Sequence, residues 1–307
     1  VPEKSVYING EYVAWEKATV HLMSQSFGRG TAMFDILSAH QTPSGTALFR
    51  LDEHVNRFFR TAEQVDIKIP CTKKELHQKV LETVRRNGMS QGLIKIIGYF
   101  GQPAVDIKST QAECDLAILV IDSTSELYNK EPFFENGTTV CLSKWRKLDP
   151  QTVPVEAKVA ANYLNGFMSR QDAASRGFEI GLMLDTQGFI AEGGIESVFL
   201  VKDGRLLAPV LGTILQSISR KTVLEVAEAN GIEVIQARLK PQLLFEAEEI
   251  FLSGTGNKVW PVRQFEDRAL NPCPGVLARK LNELIENIFS GRDERFGHWL
   301  FYPEGKR

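Results

Sequence analysis

Runs of apolar, strand-length sequence come in clusters along this chain and do not alternate strictly with helical segments. A doubly wound parallel sheet needs a helix between consecutive strands, so the clustering points instead to an α+β fold, here in two domains. The first cluster opens with Val6-Tyr7-Ile8 and Glu11-Tyr12-Val13 on either side of Asn9-Gly10, a pair that favours a two-residue hairpin turn. Residues 34–40 and 47–50 read as further strands across the turn Thr42-Pro43-Ser44-Gly45. At Leu51 the period changes. Leu51, His54, Val55, Phe58, Phe59 and Ala62 recur at helical spacing, which predicts a helix over 51–66. A second helix is expected over 73–87, stopped by Gly88, and residues 93–100 and 116–121 are apolar enough for central strands.

Residues 123–132 are polar and poor in aliphatic side chains, as a connector would be. The expected division is therefore a first domain over 1–122, a connector over 123–136 and a second domain over 137–307. In the second domain a strand is expected near 138–142 and a helix over 157–176, closed by Gly177. Strands follow at 180–184, 189–192 and 198–201, then a helix over 215–230 ended by Gly231. A short strand at 250–252 leads into Ser253-Gly254-Thr255-Gly256, and a last helix covers 274–289.

Composition narrows the partners. The 307 residues are 43% hydrophobic and 24% charged with a net charge of −2 and no basic block, which argues against nucleic acid or an anionic membrane as a partner. Cys71, Cys114, Cys141 and Cys273 form no CxxC pair and have no histidine at metal-ligand spacing, so no metal site is expected and the thiols read as reduced and isolated. No apolar run reaches the ~20 residues that cross a bilayer, and the polar start at Val1 carries no signal-peptide pattern. A cytoplasmic protein is expected.

Four places carry candidate chemistry. Lys158 lies among small apolar neighbours in Ala157-Lys158-Val159-Ala160-Ala161, where lost solvation would favour the neutral amine that Schiff-base chemistry requires; a surface lysine in a first helical turn is the plain alternative. Glu192 precedes Gly193-Gly194, where the backbone can approach a ligand closely, although a solvated turn glutamate fits the local sequence as well. Ser217 and Ser219 stand at the entrance of the 215–230 helix, either as caps or as part of an anion site made by unpaired N–H groups. Ser253-Gly254-Thr255-Gly256-Asn257-Lys258 is a Gly-rich turn without P-loop spacing that offers N–H groups and the Thr255 hydroxyl to an anion.

Taken in order, these segments resemble the fold-type IV pyridoxal-phosphate enzymes. The likeness runs through Ala157-Lys158-Val159-Ala160-Ala161-Asn162-Tyr163, Glu192-Gly193-Gly194-Ile195-Glu196-Ser197, Ile218-Ser219-Arg220 and Ser253-Gly254-Thr255. It also covers Arg50-Leu51-Asp52-Glu53-His54-Val55-Asn56-Arg57 in the first half. The resemblance implies a small N-terminal α/β domain, a larger C-terminal pseudo-barrel domain, and a homodimer or higher homo-oligomer. It implies pyridoxal 5′-phosphate carried by Lys158, with Glu192 on the pyridine nitrogen and Tyr163 on the phenolic oxygen. Arg57, Ile218, Ser219 and Thr255 would hold the phosphate, with serine at 219 in place of the usual threonine.

Within the family the chain is most similar to the branched-chain aminotransferases, through Trp145-Arg146-Lys147-Leu148 and Ala191-Glu192-Gly193. That similarity implies transfer of an amino group between a branched-chain L-amino acid and a 2-oxo acid such as 2-oxoglutarate. Phe34, Arg29, Lys95, Gly194 and Gly256 fall at substrate positions. Arg29 stands where those enzymes usually have tyrosine, and Lys95 where they use an arginine, so a point charge replaces a bidentate fork. D-amino-acid or (R)-selective amine transamination, or an aminodeoxychorismate-type lyase, stay open as alternatives of the same fold.

Overall fold

The computed structural model describes residues 4–107, 113–125, 128 and 133–304. Part of the expected connector, residues 126–127 and 129–132, lies outside the described residues. The chain forms two compact units: Val1–Lys130 with Ala157–Ala161 and Asn287–Arg307 in the first, and Glu131–Glu156 with Asn162–Glu286 in the second.

The first unit contains β1 (Ser5–Ile8), β2 (Glu11–Ala14), α1 (Gln25–Arg29), β3 (Met33–Thr42), β4 (Gly45–Phe49), α2 (Leu51–Gln64), α3 (Lys73–Arg86), β5 (Gly92–Tyr99) and β6 (Asp115–Asp122). Asn9 and Gly10 both take positive φ, 48° and 103°, as the expected hairpin turn demands. Burial alternates along β5, so Ile94 and Ile96 enter the core while Leu93, Lys95 and Ile97 line the other face. The core face receives Leu51, Val55 and Phe58 from α2 and Leu76, Val80 and Val84 from α3. A capping box at Thr72 and Glu75 starts α3.

The second unit contains α4 (Phe133–Asn136), β7 (Thr138–Arg146), α5 (Tyr163–Ser175), β8 (Ile180–Leu184), β9 (Ser197–Lys202), β10 (Arg205–Pro209), α6 (Ile218–Ala229), β11 (Val234–Ala237), α7 (Leu243–Glu246), β12 (Glu249–Ser253), β13 (Trp260–Phe265) and β14 (Arg268–Ala269). Its mixed sheet runs β11-β10-β9-β12-β13-β7-β8, with β14 paired to β13. The joins β10–β11, β13–β7 and β7–β8 are parallel and the others antiparallel. One face buries Val140, Ile180, Leu182, Val198, Leu200 and Leu252. The last helix, α8 (Val276–Phe289), precedes β15 (Leu300–Phe301), which pairs with β4 at one edge of the first unit's sheet, β15-β4-β3-β5-β6-β1-β2. The architecture is the expected α+β.

Two expected elements differ. Residues 189–192 do not form a ladder: a single bridge joins Leu184 to Ile190, and the N–H groups of Met183 and Ala191 donate to the carbonyls of Glu192 and Met183. The helix expected from 157 begins at Tyr163, after a 3-10 turn over Ala160–Asn162. Ala157–Ala161 instead packs with the first unit. Alanine-rich sequence favours a helix locally, but strand-like pairing beside β3 overrides that preference.

Candidate active site

Lys158 is held by its main chain on both sides. Its N–H donates to Thr61 Oγ1 at 3.1 Å, and the Phe34 N–H donates to its carbonyl at 3.0 Å. The N–H groups of Ala160 and Ala161 donate to Ala32 and Gly30, and Val159 bridges Met33, so Lys158 and Val159 lie alongside the entry to β3 before the 3-10 turn begins at Ala160. Lys158 therefore does not occupy the first turn of a helix, the plain alternative the sequence allowed. Its Nζ lies 4.8 Å from the centre of the Phe34 ring. Lys95 reaches the same ring at 5.1 Å from β5. Burial pushes the Lys95 ammonium below its ordinary pKa, and no carboxylate pairs with it among the described residues.

Arg57 comes from α2, one turn before Thr61, and is buried. Its Nε and Nη2 donate to the two oxygens of Asp35, each at 2.8 Å, and His54 Nδ1 lies 2.7 Å from Asp35 Oδ1. Asp35 is fully buried on β3, beside Phe34 in sequence. Burial alone would raise its carboxyl pKa; the charges and hydrogen bonds of Arg57 and His54 outweigh that and hold it below the usual carboxylate range. Arg29 is exposed, and its guanidinium donates to the carbonyls of Gly28 and Val105, at 3.1 Å each.

In the second unit, Glu192 is buried and its Oε1 lies 2.6 Å from Lys147 Nζ. The Leu215 N–H donates to the same oxygen at 3.3 Å. In the sequence Lys147 figures only as part of Trp145-Arg146-Lys147-Leu148, with no role in the site, yet its side chain is only 9% exposed. Gly193 and Gly194 make their close approaches within the protein. A Cβ on Gly193 would meet Glu196 Oε2 at 2.7 Å, and Gly194 packs backbone to backbone on Gly166 of α5. Glu196 is buried and paired with Arg170, and burial raises its pKa.

Tyr163 is the first residue of α5. Helix α6 starts at Ile218, three residues later than expected, because the Ser217 hydroxyl accepts from the Arg220 N–H at 3.2 Å and caps it. Ser217 is thus the cap, and Ile218 and Ser219 occupy the first turn, where N–H groups lack intrahelical acceptors. Thr255 sits in a tight turn closed by the Gly254 N–H on the Asn257 carbonyl at 2.7 Å, and Lys258 Nζ braces the Thr255 carbonyl at 2.9 Å. Gly256 is exposed there.

This donor set suits an anionic, nitrogen-containing cofactor. A paired carboxylate can hold a ring nitrogen, and a capped helix entrance and a Gly-rich turn offer N–H groups to a phosphate. The buried hydroxyls of Ser197 and Ser253, register partners at the end of β9 and β12, have no protein partner among the described residues, so a polar ligand group would satisfy them. Burial pushes the Cys114 thiol up to about 12 and the Cys141 thiol up to about 11, which removes both as nucleophiles at neutral pH.

Known proteins resemble the chain over almost its whole length. The chain is 27% identical over 295 residues to a branched-chain-amino-acid aminotransferase of Pseudomonas aeruginosa, covering 96% of this chain and 95% of that protein. Among solved structures it is similar to a T.th. branched-chain amino acid aminotransferase with pyridoxamine 5′-phosphate, at a TM-score of 0.91 and 29% identity over 99% of each chain. It is also similar to the branched-chain aminotransferase of Thermoproteus uzoniensis with norvaline, at a TM-score of 0.91 and 29% identity, covering 98% of this chain and 99% of that one. Residues 33–265 match the Amino-transferase class IV family. The chain belongs to that family.

Proposed function

We propose that this chain is a pyridoxal-5′-phosphate-dependent aminotransferase moving an amino group between a branched-chain L-amino acid and a 2-oxo acid such as 2-oxoglutarate. The observation that carries the reading is Lys158, whose main chain is fixed by Thr61 and Phe34 while its amine lies against an aromatic ring. When bound, the cofactor supplies a ring that accepts the electrons left on the substrate carbon. Lys158 Nζ is the attachment point and carries the proton taken from the substrate Cα. Glu192, paired with Lys147, holds the proton on the ring nitrogen. The Tyr163 hydroxyl orients the ring oxygen, and Arg57, the Ile218 and Ser219 N–H groups and the Thr255 hydroxyl hold the phosphate.

Phe34 offers apolar surface to a branched side chain, with Gly194 and Gly256 beside the substrate. Lys95, a half-buried cation without a carboxylate partner among the described residues, meets a carboxylate of the acidic substrate. Arg29, the last residue of α1, acts at the mouth of the site, where its bond to the Val105 carbonyl ties α1 to the segment 103–107. That helix, the residues before it and the 103–107 segment carry the exposed apolar residues Val20, Leu22, Met23, Phe27, Val105 and Ile107. Such a patch supports a homodimer built on this surface. The cytoplasm is the proposed compartment; no helix among the described residues is long and apolar enough to cross a membrane.

The test follows the visible absorbance of the lysine-linked cofactor on adding L-leucine, L-valine, L-glutamate, D-alanine or (R)-1-phenylethylamine. Loss of the band with the three L-amino acids is expected, and Lys158→Ala should lack both band and turnover. A response to D-alanine and the (R)-amine alone would overturn the branched-chain reading.

A further inference from the structure

Arg57, His54 and Asp35 form a buried group whose geometry goes beyond what phosphate binding by one arginine requires. Asp35 comes from β3 and the other two from successive turns of α2. None is more than 4% exposed. The Asp35 carboxylate engages the Nε–Nη2 edge of the guanidinium with both oxygens, a fork that fixes the plane of the group as well as its position. An ionised carboxylate only accepts, so His54 Nδ1 carries the hydrogen and donates to Asp35 Oδ1 at 2.7 Å. The 3.4 Å approach of Arg57 Nη2 to that nitrogen is then a packing contact. His54 thus keeps the carboxylate from turning, and the carboxylate keeps the guanidinium from turning.

Packing alone asks for none of this. A buried ion pair is often no more stable than apolar residues of the same volume. Asp35 also offsets part of the positive charge that would attract a phosphate, so what it adds to Arg57 is orientation. A guanidinium already held in one plane loses less conformational freedom when it grips a tetrahedral anion.

We propose that Asp35 and His54 are positioning residues that hold Arg57 in the plane in which it grips the cofactor phosphate, and so set the enzyme's preference for the phosphorylated cofactor over its unphosphorylated form. The proposal rests on the reading that Arg57 binds the phosphate, and the experiment separates the two. Full-length protein freed of cofactor is titrated with pyridoxal 5′-phosphate and with pyridoxal, and the ratio of the two dissociation constants is compared among variants. Asp35→Asn breaks the fork, and His54→Phe removes the lock on the carboxylate. Each should weaken pyridoxal 5′-phosphate by about tenfold or more, the scale of one misaligned charged hydrogen bond, and leave pyridoxal within about threefold. His54→Gln, which keeps a donor, should recover part of the ratio.

If Arg57→Ala collapses the ratio while Asp35→Asn and His54→Phe keep it, the positioning role is wrong and the phosphate reading stands. If Arg57→Ala itself keeps the ratio, the phosphate reading is wrong. Equal weakening of both ligands by His54→Phe marks a merely structural role and overturns the proposal. Should Asp35→Asn fail to fold, His54→Phe decides alone, because its bond is to the carboxylate and not to Arg57.

Discussion

Replacing Lys147 by methionine leaves a buried carboxylate without its ion-pair partner. The Lys147 and Glu192 side chains are 9% and 8% exposed and their charges are 2.6 Å apart. What remains on Glu192 Oε1 is the Leu215 N–H at 3.3 Å, a bond already present and too long to take over. Breaking one side of such a pair costs about 3–5 kcal/mol, chiefly the desolvation of the charge left behind. At about 4 kcal/mol the folding constant falls roughly a thousandfold. Urea denaturation of the full-length apo-protein at pH 7 measures this directly. The double variant Lys147→Met/Glu192→Gln removes both charges and should regain most of the loss, giving a coupling of about 2 kcal/mol or more in a double-mutant cycle. A single variant that loses less than about 1 kcal/mol, or a double variant no better than the single one, would refute the assignment of a buried, mutually dependent pair.

Three further outcomes are expected. Gly166→Ala puts a Cβ 2.5 Å from the Gly194 carbonyl oxygen, so it should destabilise by about 1–3 kcal/mol and loosen cofactor retention by shifting the loop after Glu192; Gly256→Ala, with nothing within 4 Å, should leave thermal stability unchanged. Asp35 has a lowered folded-state pKa, so its contribution is complete above the unfolded value of ~3.9 and is lost as pH falls through the folded one. Asp35→Asn should therefore cost about 3–5 kcal/mol at pH 7, with the gap to wild type closing below pH ~4; a gap unchanged in denaturation curves from pH 7 to pH 3 would contradict the ion-pair account.

Much of the fold was legible because local signals and tertiary structure agree. The Asn9-Gly10 hairpin, the change of period at Leu51 and the stop at Gly88 all stand in the structure where the sequence puts them. The 157–162 stretch was not legible, because its small residues carry no mark of the hydrogen bonds to Gly30, Ala32, Phe34 and Thr61 that hold it beside β3 and delay the helix to Tyr163. Gly193-Gly194 signalled a close approach but not its target, which is Gly166 and Glu196. Lys147 and Asp35 were given no role for a common reason: each is a single charge whose partner, Glu192 for one and Arg57 for the other, is distant in sequence.

The pairing of β15 with β4 sets the order in which the first unit can be finished. Leu300 and Phe301 complete the edge beside Phe49 and Leu48, and Trp299 stacks under the buried guanidinium of Arg50 at 3.5 Å. A chain emerging from the ribosome must therefore carry an open β4 edge until Leu300 and Phe301 have been made. Over that interval the exposed edge is a template for any neighbouring nascent chain.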